Sequence, residues 1–136
     1  MVELLIALNW WAVITGAVVY FMLGALWYSP VLFANKWMAL MEMSEEDIGE
    51  PNPVIFLWSF ILQFIGTLSL AIFMEAMLIE SAAHGAFIGF GAGAGFVFSL
   101  AGTTGLFSDT KLSLHFINNG YHVIGLTIAG AIIGWW

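Results

Sequence analysis

The stretch NWWAVITGAVVYFMLGALWYS, residues 9–29, carries no charged side chain and has an aromatic pair near each end, Trp10 with Trp11 and Trp27 with Tyr28. Amphipathic aromatic rings settle at the headgroup level of a bilayer. The pairs lie about 17 residues apart, and at a helical rise of about 1.5 Å per residue this is close to one hydrocarbon thickness. The stretch therefore reads as a membrane-spanning helix anchored at both interfaces. Pro30 follows where it can end this span or open the next helix.

The rest of the chain agrees. Hydrophobic residues fill 62% of the 136 positions and charged ones 8%, against about a quarter charged in soluble domains. Too few polar residues remain to make a water-facing surface. Four apolar helices of about 20 residues with their connections use nearly the whole length, so residues 1–136 read as one integral membrane domain. The formal charge of −7 is local, because five of the nine acids (Glu42, Glu45, Glu46, Asp47, Glu50) share one connecting loop. Two basic residues give no stripe able to neutralise a phosphate backbone, which excludes nucleic-acid binding. The absence of cysteine excludes disulfides, iron–sulfur clusters and thiol chemistry. Glu3 and the run after it supply neither a basic n-region nor a small-residue cleavage site, so the first helix is expected to be retained rather than removed as a signal peptide.

Beyond Pro30 the pattern changes. In VLFANKWMALMEM, residues 31–43, Phe33, Trp37, Leu40 and Met41 share a helical stripe that excludes Asn35, Lys36 and Glu42, which predicts an amphipathic helix lying on the membrane. Ser44 before Glu45, Glu46 and Asp47 is an N-cap with acids in the first turn, and a short acidic turn or helix closed by Gly49 completes an interfacial segment over residues 31–50. Asn52 with Pro53 opens the second span, about residues 53–79. The third, about 82–106, is rich in small residues, and the fourth, about 112–136, ends at Trp135 and Trp136. The fold class is thus an all-α membrane protein of four transmembrane helices with an interfacial amphipathic helix between the first two. Trp10, Trp11, Trp27, Tyr28, Trp37, Trp135 and Trp136 are its expected interface anchors. Alternation puts Lys36 and Lys111 on one side of the membrane, and the positive-inside rule makes that side cytoplasmic, with both termini outside.

These features resemble a known family. Asn9 with Ala12 and Val13, then LGALWYSP at Leu23 to Pro30, Phe33 and Trp37, the small-residue third span, Asn119-Gly120-Tyr121-His122 and the closing GAIIGWW of Gly130 to Trp136 are similar to the small four-helix proteins of the DUF1761 family. The resemblance spans the chain, and LGALWYSP is its most specific part. It implies a multi-pass protein of a bacterial or archaeal cytoplasmic membrane with an unassigned activity, and it brings no catalytic residues. The loop Phe107-Ser108-Asp109-Thr110-Lys111 is less basic than the family pattern, which weakens the orientation argument.

Polar side chains inside lipid are informative, because each is costly unless it faces another helix, water or a ligand. At about 100° per residue, His115, Asn118, Asn119 and His122 fall within one arc, which Lys111 extends, so a polar stripe enters the fourth span from the Lys111 side. Ser59, Gln63 and Thr67 make a quieter stripe on the second span with Gly66, and the two stripes have the spacing to face each other. One reading is a hydrated path or polar binding site, in which the amides are neutral ligands and the histidines change charge near neutral pH. The other is interhelical hydrogen bonding. His115 and His122 are seven residues apart, about 10.5 Å along the axis, too far for one helix to chelate an ion, so no metal site and no cofactor is expected. Glu75, Glu80 and His84 read as a solvated turn, or as the mouth of a pathway.

Gly85, Gly89 and Gly93 recur every fourth residue, with Gly91 and Gly95 beside them, and Gly130 and Gly134 repeat the spacing in the fourth span. Small-xxx-small patterns bring helix backbones close in lipid, within a protomer or between copies, and a homo-oligomer is expected. No nucleophile accompanies Asp109 and the histidines, and no metalloprotease or phosphate-loop motif is present, so catalysis is not expected. The function expected first is an oligomeric channel or carrier for a small ion or polar solute, its path lined by His115, Asn118, Asn119 and His122 with help from Ser59, Gln63 and Thr67. The alternative is a non-transporting structural or accessory membrane protein packing through its glycine faces.

Overall fold

Side-chain caps fix where four of the helices begin. In the computed structural model, which describes residues 2–50 and 52–136, Asn9 accepts from the backbone N–H of Trp11 and Ala12 at 3.1 and 3.3 Å and starts α2 (Trp10–Trp27). Capping by Asn9 also breaks the chain from a short leading helix, α1 (Val2–Ala7). α3 (Ala34–Met41) ends with Glu42 in the left-handed conformation. α4 (Glu45–Ile48) opens on a capping box between Ser44 and Asp47 and closes at Gly49, whose φ of 65° suits a residue without Cβ. The Ser44 hydroxyl and backbone N–H together hold the Asp47 carboxyl below the usual carboxylate range. Asn52 caps α5 (Pro53–Ala76), with proline at the first turn where its missing N–H costs nothing. Ser81 caps α6 (Ala82–Ala92), which runs without a break through a π-helical segment (Gly93–Phe98) into α7 (Ser99–Phe107). α8 (Leu112–Trp135) is the last helix.

Four rods, α2, α5, the continuous α6–π–α7 and α8, are long and apolar enough to cross a membrane. Every regular element among the described residues is helical, so the chain is an all-α membrane protein with an amphipathic helix between its first two spans. The expected boundaries move by a few residues, because α5 ends at Ala76 and α2 at Trp27. Two features were not expected: the separate α1, and the π segment inside the third span.

Two kinds of contact hold the bundle, one at each side of the membrane. Toward Gly134, α6 lies directly on α8. A Cβ on Gly85 would collide with the Gly130 carbonyl oxygen, one on Gly89 with that of Leu126, and one on Gly134 with that of Ser81. Tyr20 fills the notch at Gly125, and the Met74, Val13 and Thr67 side chains are fully buried. Toward Lys111 the packing loosens. α7 buries no residue, the buried positions of α5 all fall between Thr67 and Met74, and Val54 to Trp58 are each more than half exposed. In lipid those apolar faces are solvated by acyl chains, so their exposure is no penalty.

Candidate functional site in the membrane interior

The fourth-span stripe is built into the protein by aromatic donors. Trp27 and Tyr28, which end α2, and Trp37, on α3, all reach α8: the Trp27 indole donates to the Ile117 carbonyl at 2.9 Å, and Trp37 and Tyr28 donate to Asn118 Oδ1 at 3.0 and 3.2 Å. One turn away, the Asn119 amide donates to His115 Nδ1 at 3.0 Å and to the His115 carbonyl at 3.1 Å. His115 is buried, with the Phe98 ring of the π segment edge-on at 4.3 Å and Gly102 beside its Nε2 edge. The third span must come this close, and Gly93 allows it: a Cβ there would lie 2.6 Å from Val123 Cα.

Deeper in the bundle α2, α5 and α8 meet at a polar node. The Tyr20 hydroxyl and His122 Nδ1 share a hydrogen bond of 2.5 Å, and the Gln63 amide donates to the Tyr121 hydroxyl. Tyr20 and Tyr121 pack ring to ring at 5.4 Å, and Tyr121 and His122 at 4.3 Å. With the imidazole neutral and its proton on Nε2, tyrosine donates and Nδ1 accepts. Two atoms stand outside this network. Gln63 Oε1 and Thr67 Oγ1 are buried and have no partner. Thr67 itself is fully enclosed, its methyl group against Gly16 near Ala129. Below that level Ala71, Met74 and Val13 close the bundle.

The seven polar residues picked out by spacing are therefore not equivalent. Asn118 meets α2 and α3, His115 meets the π segment and is bonded by Asn119, His122 and Gln63 converge on the node, and Thr67 packs one helical turn from Gln63 against Gly16. Ser59 is half-buried and returns its hydroxyl to the Ile55 carbonyl at 2.8 Å, so it takes no part. Among the described residues no hydrogen bond joins the two stripes directly; the second-span stripe reaches the fourth span through Gln63 and Tyr121. Gly85, Gly89, Gly93, Gly130 and Gly134 all pack within the protomer. Trp10, Trp11, Trp135 and Trp136 are exposed at the Gly134 side. Trp27, Tyr28 and Trp37 act as donors into α8, a role that the anchor reading missed although a donor-rich aromatic cluster beside an asparagine stripe is its signature. Lys111 sits at the start of α8 and reaches α3, donating to the Leu40 carbonyl at 3.1 Å and pairing with Glu42 at 3.0 Å. At the other side Glu75 and Glu80 line a cavity of about 400 Å³ with Asn9, Trp135 and Trp136. Ser81 caps α6 after Glu80, so Glu80 and His84 do not share a helical face.

No curated protein and no solved structure matches this chain. A family model does, over residues 11–134, and its description is a protein of unknown function. Those residues hold all but the end residues of the four spans, the aromatic donors and the whole polar node, so the chain belongs to the DUF1761 family.

Proposed function

We propose that this membrane protein is a carrier for a small ion or polar solute, and that its cargo is bound at the node of Gln63, Thr67, Tyr20, Tyr121 and His122. One observation carries the reading: Gln63 Oε1 and Thr67 Oγ1 are buried without partners, one helical turn apart, and Gln63 bonds Tyr121, whose ring packs on both members of the Tyr20–His122 pair. An unsatisfied polar group in the hydrocarbon region costs several kcal/mol by the usual estimate of about 2–7, and intramembrane ionisable residues mark ion and proton pathways. A bound solute or water supplies the missing bonds. The tight packing below Thr67 and the looser packing toward Lys111 favour a carrier closed on one side over an open pore. By the positive-inside rule the looser side, which carries Lys36 and Lys111, faces the cytoplasm, with both termini outside.

The reading includes a homo-oligomer, but through a different glycine face. Gly91 and Gly95 would meet nothing within 4 Å if given a Cβ, and Ser99 and Thr103 continue their four-residue spacing on the exposed side of the third span. A π segment winds more residues into each turn than an α-helix, which keeps a four-residue spacing in line. Gly91→Leu with Gly95→Leu is expected to give monomers in cross-linking while leaving the protomer folded.

A specific observation favours the second reading, a non-transporting accessory protein: His115, Asn118, Asn119 and His122 all have protein partners. Flux in proteoliposomes separates the two. For a carrier, Gln63→Leu with Thr67→Val lowers proton, cation or small-solute flux at least about ten-fold between pH 5 and 8, about 1.4 kcal/mol. If the node is only structural, the wild type shows no flux and the same double variant, relieved of two unpaired polar atoms, melts at a higher temperature.

A further inference from the structure

A second site lies at the Lys111 side, away from the node. α3 folds back beside the start of α8 and leaves an open groove of about 470 Å³, walled by Trp27, Phe33, Phe116 and Ile117, with Lys36 and Ser113 at its polar end. The chain has two basic side chains. Lys111 is neutralised by Glu42, whereas Lys36 is exposed and has no acidic partner among the described residues. The helix ends repeat this imbalance. α2, α4, α5 and α6 begin with a side-chain cap, but α3 and α8, whose first residues border the groove, have none. Lys36 and the positive ends of two helix dipoles thus border one groove whose walls are apolar.

We propose that this groove binds an anionic phospholipid, its phosphate at Lys36 and Ser113 and one acyl chain along Trp27, Phe33 and Ile117. The occupant follows from charge and position. The groove lies at the level of the interfacial helix, where headgroups sit, and basic pockets beside transmembrane helices select anionic headgroups. A free anion would leave the aromatic wall unused. Held there, the lipid would tie α3 to α8 beside the Asn118 contacts of Trp37 and Tyr28.

Native mass spectrometry of the full chain, titrated with phosphatidylglycerol or phosphatidylcholine of identical acyl chains, tests this. Phosphatidylglycerol is expected to be retained about five-fold more strongly, the effect of one basic residue at a membrane surface. Lys36→Gln should abolish the preference and Lys36→Glu should reverse it, while Lys111→Gln keeps it. Equal retention of the two lipids, a preference that survives Lys36→Gln, or displacement by inorganic phosphate at equal concentration would each overturn the proposal. The last outcome would make the groove a free-anion site.

Discussion

The two sides of this bundle are held together by different physics. Toward Gly134, α6 and α8 touch backbone to backbone through Gly85, Gly89, Gly130 and Gly134, and nothing but hydrogen fits between them. Toward Lys111, α2 and α3 reach α8 through side-chain hydrogen bonds from Trp27, Tyr28 and Trp37. Lipid tails are as apolar as the helices, so helix association cannot rest on the hydrophobic effect and must come from close packing or from polar bonds. Close packing is intolerant of change, because a collided backbone has nowhere to go. Hydrogen bonds between membrane helices are each worth only about 0.6 kcal/mol, up to about 1.7, and can be exchanged for others. The Gly134 side is thus built as a fixed seal and the Lys111 side as an adjustable one, with the polar node at their junction.

The largest effect should come from breaking the seal. Gly89→Ala puts a Cβ onto the Leu126 carbonyl and should destabilise the protein by about 3 kcal/mol, the upper part of the overpacking range, in thermal unfolding in detergent. Gly91→Ala, two residues along the same helix, meets open space within the protomer and stays small enough for the proposed contact between copies, so it should be neutral or stabilising by up to about 1 kcal/mol, because alanine is the better helix former. Equal effects at the two positions would end the distinction between sealed and free faces. On the other side, Asn118→Leu removes the acceptor of both Tyr28 and Trp37 and should cost about 1–2 kcal/mol. Hydrogen exchange should rise in α3 and not in α6. Tyr20→Phe, at the junction, should cost about 0.6–1.7 kcal/mol, and a double-mutant cycle with His122→Leu should return most of that as coupling.

How much of this is visible in the sequence follows from the same contrast. Spans, caps and the glycine spacing are local properties: Asn52 before Pro53, Ser44 before Asp47 and the 85–89–93 repeat each carry their own reason. The helical arc of His115, Asn118, Asn119 and His122 is local too. Its partner is not, because periodicity says which side of α8 is polar but not which helix comes to meet it. That partner is mainly α2 with α3, which is why Trp27, Tyr28 and Trp37 read as anchors alone and why spacing groups Ser59 with a site it does not reach. Thr67 shares a helical stripe with Gln63, yet its enclosure depends on Gly16 of another span. The break after α1 was legible in Asn9, a good capping residue, whereas the π segment leaves no mark in hydropathy.

The smallest effect is expected at the only ion pair among the described residues. Lys111 and Glu42 join the start of α8 to the end of α3 at 3.0 Å, which places the pair where it could fasten the adjustable side. Their side chains are 52% and 82% exposed, however, so water screens most of the attraction. Exposed pairs contribute about 0–1 kcal/mol, and salt weakens them further. Glu42→Gln should therefore cost no more than about 0.5 kcal/mol at low salt, and the difference from wild type should fade as salt is raised. The Leu40 carbonyl remains as an acceptor for the Lys111 ammonium, so the contact itself is kept. A larger, salt-independent loss would mean that charge, rather than the Asn118 hydrogen bonds, holds α3 against α8, and would move the weight of that side from its aromatic donors to its ion pair.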